Sequence, residues 1–412
     1  MSTSNKQFLI TLLVFIALFV TTYRFHIMPQ LGTRSASDSL FTTRSVKQKD
    51  MIKGLWEEYK SEYIQKDTYR TVDPQYDITT SEGQSYAMLR SVWMDDKHTF
   101  DMSWQWTKQN LQHKTDALFA WKYGKRSDGS YGVLNSVGGH NSATDADTDI
   151  AVALIFAAQK WQDETYLTEA RSIIQDIWKH EVVLIKDIPY ITSNNIEKNN
   201  QISVLLNPSY FAPYAYRMFA HVDPNHAWMQ VVDSSYEVLQ RSMNESLDKE
   251  SSVGLPPDWV VINRQTGALS APTSSNHTTN YGYDALRTPW RIALDKTWYQ
   301  DPRATAVLNK MSFFGTVAQV QGNKNIAIPA VHAHDGTVVS QQESRALYGG
   351  VIGYFIHNDP DAAALLYKTK LLSLVNTTTN NWKSNVSYYD SNWVWFGMAL
   401  YLEQLPNLSL PQ

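Results

Sequence analysis

Three short segments of the sequence put carboxylates where helices are expected to begin. Thr80-Ser81-Glu82-Gly83 precedes an apolar stretch from Gln84, and Ala143-Thr144-Asp145-Ala146-Asp147-Thr148-Asp149 precedes Ile150. Tyr281-Gly282-Tyr283-Asp284-Ala285-Leu286-Arg287 opens the stretch that contains Trp290. A carboxylate in a first turn has a plain structural reading, because the helix dipole favours it by about 0.3–1 kcal/mol and Ser81 or Thr144 could cap the helix. That reading leaves the company of these residues unexplained: a glycine directly after Glu82, aromatic side chains beside Asp284, and Arg287 one turn further on. Paired carboxyls are what cleavage of a glycosidic bond requires. One must keep its proton so that it can protonate the leaving oxygen, and the other attacks the anomeric carbon or deprotonates a water that does. A separation of about 5–5.5 Å retains the anomeric configuration, whereas about 6.5–9.5 Å leaves room for the water and inverts it.

Other chemistries find little support. Asp145, Asp147 and Asp149 alternate like the start of a calcium loop, but Ile150 and Phe156 stand where such a loop needs Gly and Glu. There is no HExxH, the 11 His are scattered, and no G-x-S-x-G occurs. The absence of cysteine excludes disulfides, thiolate metal sites and a cysteine nucleophile. The expected chemistry therefore uses no metal and no cofactor. A net charge of −4 without a basic stripe gives nucleic acid no electrostatic footing. Aromatic residues reach 12%, with 14 Trp and 23 Tyr, and their flat faces suit both core packing and stacking on sugar rings.

The elements that must hold these carboxylates read as helices. Ile150, Ala153, Leu154, Ala157, Ala158 and Trp161 share one helical face, as do Phe100, Trp104, Thr107 and Leu111, and Tyr166, Ala170, Ile173, Ile174, Ile177 and Trp178. Further helices are expected over 227–239, 285–298, 304–314, 344–356, 362–372 and 393–402, while persuasive strand alternation is scarce. Stretches such as 85–94 are apolar nearly all round and must be wrapped by other helices. One large all-α domain follows, with long loops at 121–141 and 254–281 as the natural place for binding. At the start, Phe8 to Val20 is an apolar run behind Lys6, expected to act as an export signal or an uncleaved signal anchor over 1–27. Residues 28–45 are polar and small and read as a linker, and the globular body is expected over 46–412. That arrangement implies an extracytoplasmic location and contact with the membrane through the N-terminal segment.

Taken together, the motifs resemble glycoside hydrolase family 8. The run from Ala143 to Trp161 is similar to that family's signature, and it is joined in the family's order by Ser81-Glu82-Gly83-Gln84-Ser85-Tyr86-Ala87-Met88, Asn207-Pro208-Ser209-Tyr210-Phe211, Gly254-Leu255-Pro256-Pro257-Asp258-Trp259 and Tyr283-Asp284-Ala285-Leu286-Arg287-Thr288-Pro289-Trp290-Arg291. The resemblance runs from about Met51 to about Leu405. It implies an (α/α)6 barrel whose long loops form an open substrate groove, and an inverting hydrolase of β-linked polysaccharide, with a cellulose-like β-1,4-glucan favoured over xylan, mixed-linkage glucan or chitosan. By the same resemblance Glu82 is the general acid, Asp284 the general base, and Asp145 an acidic residue that holds the sugar at the cleavage point. Tyr283 and Arg287 would orient water and carboxylate, Trp121 would stack on a sugar, and Tyr210, Trp259, Tyr388 and Tyr389 would line the cleft. An anchored member of the family would fit a polysaccharide synthesis or export complex. The contrasting reading is a glycan-binding barrel without turnover, which should have lost the acid or the base; this sequence keeps both.

Overall fold

A computed structural model describes residues 36–320 and 325–409. The apolar run at 8–20, read as a signal or anchor, lies outside them. Among the described residues no helix is long and apolar enough to cross a membrane. The chain divides into Met1–Gln48 and a body of Lys49–Gln412. Residues 36–45, expected to be linker, instead form the first turns of helix α1, Ala36–Tyr63. The polar composition misled here, because the helix breakers Pro29 and Gly32 both precede Ala36.

Twelve helices of 7 residues or more organise the described residues. After α1 come α2 (Ser81–Trp93), α3 (Lys97–Asn110), α4 (Thr144–Trp161), α5 (Glu164–Glu181), α6 (Pro213–Val222) and α7 (Trp228–Ser242). They are followed by α8 (Arg287–Tyr299), α9 (Pro302–Lys310), α10 (Arg345–Asn358), α11 (Pro360–Leu366) and α12 (Tyr388–Tyr401). The even-numbered helices form an inner ring, α2 on α4, α4 on α6, α6 on α8, α8 on α10 and α10 on α12. Arg90 of α2 closes it by donating from Nη2 to the Ser391 and Asn392 carbonyls at the start of α12, at 2.9 and 3.1 Å. Each of α3, α5, α7, α9 and α11 packs outside the inner helix that precedes it, and Trp395 of α12 donates to the Ile52 carbonyl of α1. The result is an (α/α)6 barrel, as the resemblance implies.

Patterning explains the two rings. Helix α5 buries Tyr166, Ala170, Ile173, Ile174 and Ile177 on one face, as an outer helix should. In contrast, α10 is buried continuously from Ala346 to Phe355. Gly349 and Gly350 let it approach its neighbours at backbone distance: a Cβ on either would overlap the carbonyl of Trp393 or of Leu286. The ring also encloses charge. Asp145 and Asp149 lie one turn apart on α4, and Arg287 and Arg291 one turn apart on α8, giving a ladder with Asp145–Arg287 at 2.9 Å and Asp149–Arg291 at 2.7 Å.

Several sequence expectations shift. The helix expected over 304–314 splits into α9 and a short turn at Phe313–Val317. That over 362–372 ends as α11, followed by a π-type turn at Tyr367–Leu371. Helix α6 went unread because it is only ten residues long and begins with Pro213. Short antiparallel sheets are present too. One joins β1 (Ile78–Thr80), β2 (Lys122–Lys125) and β3 (Tyr131–Val133), and β4 (Val182–Ile185) pairs with β5 (Ile188–Ile191). Another joins β6 (Ser203–Leu206), β7 (Val260–Asn263) and β8 (Leu269–Ser270). Strands of two to four residues are too short to display alternation.

The ladder's lower rung supplies a stability test. Arg291→Leu leaves Asp149 buried without its cation and should cost about 3–5 kcal/mol in urea unfolding, whereas adding Asp149→Leu should recover much of that loss. Additive losses in the double variant would refute the pairing argument.

Candidate active site

The inner helices bring the three acidic segments to one end of the barrel. Glu82 sits in the first turn of α2, behind the cap made by Thr80 Oγ1, which accepts the Gly83 N–H at 3.0 Å. Thr80, and not Ser81, therefore caps this helix. At α4 the residue before the first turn is Ala143, with no side-chain cap, so Thr144 does not cap either. Asp145 occupies the first turn of α4, and Asp284 lies in the turn that leads into α8. Gly83 has a specific reason: a Cβ there would overlap the Tyr388 hydroxyl.

All three carboxylates meet Arg287. Its Nη1 donates to Glu82 Oε2 and, at 2.9 Å, to Asp145 Oδ2, while Nη2 donates to Asp284 Oδ1. Its Nε donates to Ser209 Oγ and to the Asp284 carbonyl, both at 3.1 Å, and the Tyr210 ring lies 5.0 Å from the guanidinium. The other Asp284 oxygen accepts Trp259 Nε1 at 3.0 Å. Asp145 is the deepest of the three, with 3% of its side chain exposed, against 26% for Glu82 and 33% for Asp284. Glu82, Tyr283, Asp284, Arg287 and Tyr389 line an open cavity of about 380 Å³.

One cation cannot neutralise three carboxylates, one buried and two partly so, and the arrangement therefore favours a retained proton. Burial pushes the Glu82 carboxyl up to about 7, against the pull of Arg287 and with the support of Asp145 and Asp284. Burial also raises Asp145, opposed by Arg287 and Arg291. A carboxyl at about 7 is poised to donate near neutral pH.

The expected aromatic residues fall into distinct places. Tyr283 is 53% exposed at the rim, and the Tyr389 hydroxyl donates to its carbonyl. Trp259 and Tyr210 meet edge to face at 5.9 Å, which the pairing of Leu206 with Val260 across β6 and β7 makes possible. Trp121 is held beside Glu82, since its carbonyl accepts the Ser81 N–H at 3.1 Å and its Nε1 donates to the Gly138 carbonyl. Tyr388 packs with Tyr59 and Tyr63 and, with Tyr389, borders a second open cavity of about 620 Å³. Arg287 commits its donors to protein acceptors, which makes it the organiser of the carboxylates.

Two features escaped the sequence reading. Asp258, in the motif before β7, accepts three backbone N–H groups of the turn that carries Asp284. Behind Asp145, Asp147 and Glu181 are fully buried side by side. Phe119 N donates to Asp147 and Ser142 Oγ to Glu181, while the two carboxyls interact with each other and Glu181 also with Thr144. Burial raises both, Glu181 to about 7, so the pair holds a proton. The i,i+2 spacing of Asp145 and Asp147 was visible, but their opposite surroundings were not.

Comparison with known proteins agrees with this geometry. The family model described as glycosyl hydrolases family 8 matches residues 28–351. Endoglucanase C of Ruminiclostridium cellulolyticum is 31% identical over 314 residues, which are 73% of this chain and 63% of that protein. The chain thus spans less than two thirds of that relative's length. Among solved structures, an endo-1,4-D-glucanase from Vibrio fischeri ES114 superposes with a TM-score of 0.70 at 26% identity, covering 84% of this chain and 94% of that one. A beta-1,3-1,4-glucanase from Paenibacillus sp. X4 gives 0.69 at 25% identity, covering 91% and 94%.

The Asp147–Glu181 pair yields a pH prediction. A carboxyl raised to about 7 from 4.5 binds more protons folded than unfolded. Its contribution is therefore full below about pH 4.5 and lost as pH rises through 7. Glu181→Gln keeps an acceptor for Ser142 and offers an N–H to Asp147, so its stability should fall less than wild type between pH 5 and 8, by up to about 3 kcal/mol. Parallel stability curves in thermal melts would argue against a shared proton.

Proposed function

The chain belongs to glycosyl hydrolases family 8, and we propose that it hydrolyses a β-1,4-linked polysaccharide with inversion at the anomeric carbon. Glu82 is the general acid, which protonates the leaving glycosidic oxygen. Asp284 is the general base, which takes a proton from the water that attacks the opposite face of the sugar. The observation that carries this reading is the single Arg287 guanidinium bound to Glu82 through one nitrogen and to Asp284 through the other, at the floor of an open cavity. Inversion requires the two carboxyls to stand about 6.5–9.5 Å apart, with the attacking water between Asp284 and the sugar.

Asp145 holds the reacting sugar from the floor and adds negative charge where an oxocarbenium-like centre develops. Tyr283 and Tyr389 border the reacting position, and Trp121, Tyr210, Trp259 and Tyr388 guide the chain on either side. The substrate is a cellulose-like glucan, in keeping with the endoglucanases that resemble this chain. A mixed-linkage β-glucan is the second reading, favoured by the likeness to the Paenibacillus beta-1,3-1,4-glucanase over 91% of this chain. The apolar run at 8–20 supports an extracytoplasmic placement with a membrane tether, which would bring the enzyme close to a polymer being made or exported there.

Glu82→Gln and Asp284→Asn should each lower kcat by about 10²–10⁴-fold while oligosaccharide binding persists; near wild-type turnover in either would remove that role. Incubating residues 46–412 with carboxymethyl-cellulose, lichenan, xylan and chitosan and scoring new reducing ends should show highest activity on the first two. Proton NMR of the earliest products should show the α-anomer, and a β-anomer would overturn inversion.

A further inference from the structure

Asp284 stands in a turn, ahead of the first residue of α8, where its carbonyl accepts the Arg287 N–H at 3.2 Å and the Leu286 N–H reaches the Gly282 carbonyl at 3.1 Å. Beyond these bonds, one carboxylate oxygen gathers the N–H groups of the turn. Asp258 Oδ1 accepts the N–H groups of Gly282, Asp284 and Ala285 at 3.1, 3.1 and 2.7 Å. Three converging N–H groups make an anion-binding nest, and here the anion is a side chain of the same protein. The nest leaves no slack, because a Cβ on Gly282 would lie 2.6 Å from Asp258 Oδ2.

Asp258 is itself anchored. Its own N–H donates to the Asn280 carbonyl at 2.6 Å, and the Trp259 N–H to the Thr278 carbonyl at 3.0 Å. The strand β7 begins at the next residue and pairs with β6. The neighbouring Trp259 then reaches over and donates from Nε1 to Asp284 Oδ2. Two consecutive residues thus grip Asp284 twice, Asp258 at the backbone and Trp259 at the carboxylate. Asp258 does not border the cavity that Asp284 lines.

We propose that Asp258 is the positioning residue of the general base: by collecting three N–H groups on one oxygen it fixes the turn that sets the distance and angle between Asp284 and the attacking water. This rests on the reading of Asp284 as the base. Asp258 lies off the cavity that Asp284 lines, so its loss acts on turnover and leaves substrate binding alone. Reactions of this kind are sensitive to placement, a displacement of about 1 Å costing on the order of 100-fold in rate.

The test compares Asp258→Ala, Asp258→Asn, Gly282→Ala and Asp284→Asn in the full chain, with kcat and KM on a soluble cello-oligosaccharide and thermal melts to confirm folding. Asp258→Ala should lower kcat about 100-fold with KM unchanged. Asp258→Asn keeps an acceptor oxygen for the three N–H groups and should restore about tenfold of that loss. Gly282→Ala, which disturbs the nest while keeping the carboxylate, should lower kcat in the same way and decides the matter if Asp258→Ala does not fold. Wild-type kcat in Asp258→Ala or in Gly282→Ala overturns the proposal, as does a rise in KM at constant kcat or an Asn variant no better than Ala. If Asp284→Asn itself turns over normally, the base assignment fails and takes this proposal with it. An inactive Asp284→Asn beside a fully active Asp258→Ala removes the clamp alone.

Discussion

A single buried guanidinium among three carboxylates sets the terms for everything around it. Arg287 can satisfy Glu82, Asp145 and Asp284 geometrically because its donors fan out in a plane. It cannot neutralise them, since one positive charge faces three potential negative ones. The protein resolves the excess by leaving a proton on the site, and burial assigns it to Glu82. A lysine in the same place would supply the charge without the fork, and the carboxylates would lose their fixed mutual geometry.

The barrel exists in this form to keep that geometry rigid. Asp145 and Asp149 stack on α4 as Arg287 and Arg291 stack on α8, so the rung at the cavity rests on a second ion pair one turn along. The inner helices can approach closely because glycine stands at the tightest crossings of α10. Small sheets in the loops then tune what the helices leave free. The β1–β2 pairing brings Trp121 against the start of α2, and β6–β7 brings Tyr210 and Trp259 together beside Arg287.

Much of this was legible in the sequence, for identifiable reasons. Helices with long apolar patterns, such as α4 and α5, announce themselves because periodicity survives over 18 residues. Glu82 and Asp284 stood out through their neighbours, and the structure supplies the cause for Gly83, which makes room for Tyr388. Asp258 was hidden because its work is on backbone N–H groups more than 20 residues away, which no local pattern encodes. Asp147 and Glu181 were hidden because burial decides their state, and Glu181 ends an outer helix where it reads as an ordinary surface charge. The first turns of α1 were missed because polar composition alone does not separate a loop from a helix lacking breakers.

The closure of the ring by Arg90 on α12 has a temporal side. Sequence-adjacent helices can dock as they leave the ribosome, but Arg90 of α2 has no carbonyl on which to close the ring until residues 388–401 have been made. Tyr389, which borders the reaction cavity, arrives with that same helix. The cavity at Glu82 and Asp284 therefore lacks one of its walls until this closing helix has docked.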